Sequence, residues 1–117
     1  MDYSKLSDTE INIAVAEILF PGYTVIESKS RPPCACITGC LPSQWVDYCN
    51  SPVCAWPIIS ENRIALSPLF GGEWRASVDD ECGFISYTCS TENPLRAAMT
   101  VFIMLQGSVN VQDNPAR

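Results

Sequence analysis

The segment ENPLRAAMTVFIMLQ, residues 92–106, decides the fold because it predicts a helix that is apolar almost all round. Asn93 and Pro94 indicate a helix start, since Asn can cap free backbone N–H groups and Pro fits the first helical position. The apolar residues of the helix are Leu95, Ala98, Met99, Phe102 and Leu105 on one stripe, with Val101, Ile103 and Met104 beside it. A helix of this kind is buried on more than one side. We expect a helix over about 94–106 that is either enclosed by the core or shared with a second copy.

Arg96 is the single charge inside this predicted helix. It lies in the first turn, where the helix macrodipole is positive and a cation costs about 0.3–1 kcal/mol. Two explanations are open from the sequence. Either Glu73 or Glu92 offsets the charge, or an anionic ligand binds there.

The N-terminal segment LSDTEINIAVAEILF, residues 6–20, predicts a second amphipathic helix. Ser7 and Glu10 form a capping box, and the apolar face is predicted as Ile11, Ala14, Val15, Ile18 and Leu19. The stretch YTVIE (23–27) indicates a strand. Residues 50–63 indicate a short helix capped by Asn50 or Ser51, which Pro57 should kink or end early.

Three further strands are predicted in RIALSPLF (63–70), GGEWRASV (71–78) and GFISYTC (83–89). Gly71-Gly72 suits a tight hairpin turn with positive φ angles, DDECG (79–83) suits a longer turn, and Pro68 indicates an edge strand or a bulge. The expected fold is one α+β domain over 1–117. A small antiparallel sheet of three to four strands is packed by the N- and C-terminal helices as a two-layer α/β sandwich, with a frayed tail at 107–117.

Residues 28–49 hold three prolines, a glycine and four of the seven cysteines. We interpret them as a long connection with a turn of helix near Trp45. The N-terminus lacks the pattern of a signal peptide, so reduced, mostly buried thiols are favoured over a disulfide framework. A zinc site is the weaker alternative: Cys34, Cys36 and Cys40, with Cys49 or Cys54 as fourth ligand, do not have the paired spacing of zinc ribbons. We expect no metal and no cofactor.

Composition narrows the function classes. A net charge of −6 argues against nucleic acid and anionic membranes as partners, and no segment has the length of a membrane helix. The sequence has no histidine and no phosphate-binding glycine loop, so we expect a protein without enzymatic activity. We also expect it in the cytoplasm of a bacterial host and as a homo-oligomer.

Polar and aromatic residues in the C-terminal half suggest a site for a small anionic, phosphate-bearing ligand. A helix N-terminus, arginine forks and tryptophan faces together suit such a ligand. The candidate residues are Trp56, Arg63, Trp74, Arg75, Asn93 and Arg96. The alternative is that Arg75 and Arg96 are simply exposed, or pair with Glu73 and Glu92.

The stretches DYCNSPVCAWPIISENRIALSPL, GGEWRA and NPLRAAMTVFIMLQ resemble the NinX-like small proteins of lambdoid phages and prophages. The resemblance extends over both ends and most of the middle, with a departure at Val53-Cys54, where the family tends to have Ala-Asp. It implies an accessory phage protein, of a kind that often blunts host defence. From this we expect a binding protein that sequesters a small phosphate-bearing or nucleotide immune signal. The alternative is an inhibitor or adaptor that binds a host or phage protein through residues 28–49 or an acidic surface.

Overall fold

The computed structural model describes residues 5–39, 43–79 and 86–112. These residues form three helices and six strands: α1 (Asp8–Leu19), β1 (Thr24–Glu27), β2 (Ala35–Thr38), β3 (Gln44–Val46), α2 (Pro52–Asn62), β4 (Ala65–Pro68), β5 (Trp74–Asp79), β6 (Ser86–Thr91) and α3 (Pro94–Gln112). The predicted α+β class is confirmed. The predicted turn at 79–83 lies almost entirely outside the described residues.

The strands form two antiparallel sheets, ordered β1-β2-β3 and β4-β5-β6. Helix α1 packs on β1 and β2, α3 packs on all three strands of the second sheet, and the two helices pack against each other. The prediction of one sheet was therefore wrong, because the described strands form two sheets. The additional sheet is β1-β2-β3, because β2 and β3 form inside the segment predicted as a long connection, and Trp45 lies in β3 instead of a helical turn.

The first half of α3 is buried on every side, as its composition predicted. Residues 97–102 are each at most 2% exposed, and the helix contacts α1, α2 and the second sheet. This part of α3 is thus enclosed by its own chain, as the first alternative, burial in the core, predicted. The helix ends at Gln112 and not near Gln106, so Gly107 is helical. Residues 113–117 of the predicted tail lie outside the described residues.

The predicted caps and turns are largely confirmed. Ser7 and Glu10 form both hydrogen bonds of the capping box, and Gly71 and Gly72 have φ angles of 95° and 89°. The buried face of α1 is rotated from the prediction, because Asn12 is fully buried while Leu19 is 39% exposed. Helix α2 has Ser51 as N-cap without a side-chain hydrogen bond and continues through Pro57 to Asn62, so Pro57 does not end it early.

Pro68 lies on an edge strand, which is one of the two positions predicted for it. The Leu69 N–H donates to the Glu73 carbonyl at 2.7 Å, and hydrogen-bonded and non-hydrogen-bonded pairs alternate from there along β4 and β5. Pro68–Trp74 and Leu66–Ala76 are then non-hydrogen-bonded pairs. The missing N–H of Pro68 therefore removes no ladder bond, since this position faces the free edge.

Candidate functional site

Arg96 pairs with Asp8, at the start of α1. Its Nη1 lies 2.6 Å from the Asp8 Oδ1, and Nη2 donates to the Leu6 carbonyl. The two charged side chains are 17% and 33% exposed. A carboxylate does offset the charge of Arg96, but it is Asp8 and not the predicted Glu73 or Glu92. The fold brings Asp8 to the first turn of α3 across 88 residues of sequence.

Asn93 caps α3, as the Asn-Pro start predicted. Its Oδ1 accepts the N–H groups of Leu95 at 2.9 Å and Arg96 at 3.3 Å. Its Nδ2 donates to the Cys49 carbonyl at 2.7 Å and to Asn50 Oδ1 at 3.3 Å. Both ends of this amide are therefore used to hold α3 to the segment before α2.

Asn12 makes the matching connection from α1. Its Nδ2 donates to the Pro33 carbonyl at 2.9 Å and to Asp47 Oδ1 at 3.0 Å, while its Oδ1 accepts the Cys49 N–H at 3.2 Å. The side chain is fully buried, so these bonds compensate the cost of burying an amide. Asp8, Asp47 and Asn50 continue the network at its exposed side. We interpret the whole network as structural.

The five described cysteines are free thiols: Cys34, Cys36, Cys49, Cys54 and Cys89. Burial raises the pKa of the Cys49 thiol to about 12, with a further increase from nearby Asp8. A neutral, buried thiol is a small hydrophobe and a poor nucleophile. Cys40 and Cys82 lie outside the described residues, and among the described ones no three His, Cys, Asp or Glu side chains are grouped to hold a metal ion.

A cleft of about 310 Å³ lies beside Arg96, between the second sheet and the start of α3. Its lining residues are Glu73, Cys89, Ser90, Thr91, Glu92, Arg96 and Thr100. Two carboxylates face this cleft, and its arginine is already paired with Asp8. The local charge therefore disfavours a phosphate at this place.

A second groove brings together two of the six predicted site residues, Trp56 and Arg63. It has a volume of about 530 Å³, lies between α2 and β4, and is lined by Trp56, Ile59, Ser60, Arg63, Ile64 and Leu66. We call it the α2–β4 groove. Arg63 ends α2 in the left-handed conformation, with φ 55° and ψ 44°, and its side chain is exposed.

The other predicted site residues lie elsewhere. Trp74 and Arg75 are on β5, where Trp74 is half-buried and Arg75 pairs with Ser67 on the exposed face of the sheet. Neither lines the groove or the cleft described above. The structure therefore does not assemble the six residues into one pocket.

Sequence reasoning missed the exposed apolar side of α2. Val53 is 85% exposed and Trp56 is 62% exposed, and Pro57 beside them is exposed as well. We call these three residues the α2 face. Their i, i+3, i+4 spacing places them on one side of the helix, while Ala55, Ile58 and Ile59 are buried. That spacing was a readable signal for an apolar surface.

The fold and its surfaces define a small α+β protein with a polar network at its centre and an apolar helix face on its outside. Within the described helices, none has both the length and the apolar character needed to cross a membrane. Residues 2–106 match the family described as Bacteriophage P22, NinX. The chain belongs to this NinX family of phage proteins. None of the curated proteins compared with it matches.

Proposed function

We propose that this phage protein is a non-enzymatic binding protein that acts as an inhibitor or adaptor on a host or phage protein. The α2 face is its contact surface. The observation that carries the proposal is the exposure of Val53 and Trp56, 85% and 62%, on a helix whose opposite side is packed into the core. Exposed apolar groups concentrated in this way are typical of protein interaction sites.

The energetic gain available at this face is substantial. A tryptophan buries about 150–250 Å² when fully covered, so covering the exposed part of Trp56 would contribute roughly 2–4 kcal/mol. Tryptophan is also among the residues enriched at the energetic centre of protein interfaces. The α2 face therefore replaces residues 28–49, which include the strands β2 and β3, as the preferred contact surface.

The test is affinity purification of the tagged protein from phage-infected cells, with wild type, Trp56→Ala and Phe70→Ala compared. Phe70 is a matched control because it is an exposed aromatic residue at the turn between β4 and β5. We expect one stoichiometric protein partner with wild type and Phe70→Ala, and its loss with Trp56→Ala. Equal recovery by all three would overturn the proposal, as would light scattering that shows a homo-oligomer which Trp56→Ala dissociates.

A second candidate function is sequestration of a small phosphate-bearing or nucleotide immune signal, which would counter host defence. The observation that favours it is that Trp56 and Arg63 line the same groove, where a base could stack and a phosphate could bind. Thermal-shift and calorimetric titrations with cyclic and ADP-ribose-type nucleotides test this function. Binding that is lost in Arg63→Gln supports it, and no response across the panel contradicts it.

A further inference from the structure

We propose that the α2–β4 groove binds an extended segment of the partner protein as an added strand on β4, with a carboxylate of that segment against Arg63. This inference rests on the proposed function, because it specifies how the partner reaches the α2 face. The groove would then bind a peptide through three kinds of contact: backbone hydrogen bonds to the β4 edge, apolar contacts with Trp56, and an acidic residue against Arg63.

The free edge of β4 offers backbone groups for strand addition at Leu66, since Pro68 has no N–H and the Ile64 N–H already donates to the Ile59 carbonyl. β4 is the first strand of the order β4-β5-β6, so one of its sides has no neighbour among the described strands. The pairing register places Leu66 opposite Ala76 in a non-hydrogen-bonded pair, so its N–H and C=O groups face the free edge. An extended peptide can satisfy both groups, which is how strand addition gains affinity.

The groove lies where such a strand would run. Helix α2 and strand β4 each pack on α3, and the space between them is lined by apolar side chains from both elements, including Ile59, Ile64 and Leu66. Trp56 stands at the α2 side of this space and is 62% exposed. A strand beside β4 would therefore have one row of side chains directed to the apolar lining, since side chains alternate between the two faces of a strand.

Charge complementarity selects the partner segment. Arg63 is the one charged residue among the six that line the groove. Its backbone is fixed, because its N–H donates to the Ile59 carbonyl. Arg63 forms no ion pair within the described part of the chain, where the ion pair is that of Arg96 with Asp8. An arginine that has no ion pair among the described residues and lies at the end of an apolar groove favours a carboxylate, to which it can donate two parallel hydrogen bonds.

A second copy of this chain fits the groove less well. Pro68 lies at the free edge and has no N–H to donate; this donor is missing twice when two β4 edges pair but only once beside a strand of another protein. The net charge of −6 adds repulsion between copies. A segment of another protein with an acidic residue is the better occupant.

The test uses fluorescein-labelled heptapeptides of alternating β-branched and polar residues with a central Leu or Phe. Each peptide is made in three forms: with one Asp, with Lys in its place, and with alternate backbone nitrogens methylated. Fluorescence anisotropy measures binding to the full chain. We expect the Asp form to bind best, the Lys form about tenfold more weakly, and the methylated form not to bind, because its edge hydrogen bonds are lost.

Variants of the protein separate the two parts of the proposal. Pro68→Ala adds an outward N–H and should strengthen binding a few-fold, while Leu66→Pro removes one and should weaken it about fivefold. Since Leu66→Pro also removes a packed side chain, Pro68→Ala is the decisive edge variant. Arg63→Glu should invert the preference between the Asp and Lys forms, and Arg75→Glu, the same charge change on the exposed face of β5, should not.

The outcomes distinguish this inference from the proposed function. Strand addition is overturned if methylated peptides bind equally, if Pro68→Ala has no effect, or if sedimentation shows a dimer that Leu66→Pro dissociates. In those cases loss of partner capture in Trp56→Ala would still support the α2 face. Unchanged partner capture in Trp56→Ala would instead contradict the proposed function itself.

Discussion

Removing the Arg96 guanidinium tests whether this residue stabilises the fold or binds an anionic ligand. Arg96→Met keeps the apolar stem of the side chain and removes the ion pair to Asp8 and the hydrogen bond to the Leu6 carbonyl. Hydrogen bonds to charged groups contribute about 1.5–3 kcal/mol each. Partial exposure of the pair reduces this gain, and the substitution also relieves an unfavourable macrodipole contact of about 0.3–1 kcal/mol. We therefore expect a net loss of about 2 kcal/mol.

The assay is urea and thermal unfolding of Arg96→Met, with Arg75→Met as the matched control. A loss of this size should lower the melting temperature of a chain of this length by roughly 8 °C, while Arg75→Met, at an exposed position, should change stability by less than about 0.5 kcal/mol. A double-mutant cycle with Asp8→Asn should give a coupling energy of about 1 kcal/mol.

The structural role of Arg96 would be refuted by equal stability of the two variants. It would also be refuted if phosphate or a nucleotide stabilised wild type but not Arg96→Met, since the arginine would then be free to bind an anion. Stability loss with no ligand response is the result that the pair with Asp8 requires.

Two further predictions concern the buried groups beside this pair. Asn12→Ala should cost about 3 kcal/mol, because it leaves the Cys49 N–H without its side-chain acceptor and the Pro33 carbonyl without its donor; urea unfolding measures this, and a loss below about 1 kcal/mol would contradict the network. Stability should also fall as pH rises from about 9 towards 12. The Cys49 thiol has its pKa raised from 9.0 to about 12 by burial, so above pH 9 the unfolded chain loses a proton that the folded chain keeps. The slope is about 1.4 kcal/mol per pH unit for this thiol. Unfolding midpoints between pH 7 and 10.5 should show a shallower decline in Cys49→Ala, and an identical decline would contradict the assignment.

Local signals in the sequence predicted the elements that depend on neighbours in the chain. The capping box of Ser7 and Glu10, the Asn93 cap and the Gly71-Gly72 turn all lie within a few residues of the groups that they satisfy. The apolar composition of α3 likewise predicted its burial. These features are decided by short-range hydrogen bonding and by helix periodicity.

The strands β2 and β3 could not be predicted in the same way. They are four and three residues long, and they follow the prolines of a cysteine-rich segment that is typical of a loop. β2 is buried against α1 and β3 pairs with β2, and such long-range contacts are not contained in propensity. Of the cysteines considered as metal ligands, Cys36 lies in β2, Cys49 in the core and Cys54 in α2.

The candidate site was predicted in part for a similar reason. Arg96 was recognised as an unusual charge, but its partner Asp8 is distant in sequence, and long-range ion pairs leave no local pattern. Trp56 and Arg63, two of the six predicted site residues, line the same groove, because Arg63 directly follows the helix that carries Trp56. The spacing of Val53 and Trp56 places them on one side of α2, but the packing against α3 decides that this side is the exposed one.

The central claim is that the α2 face contacts a protein partner, and site-specific photocrosslinking in phage-infected cells tests it most directly. A benzophenone amino acid is placed at Val53, which lies on the α2 face and leaves Trp56 in place, with the same group at Arg75 as control. We expect a single adduct from position 53 and none from position 75. No adduct at position 53, or equal adducts at both positions, would contradict the account.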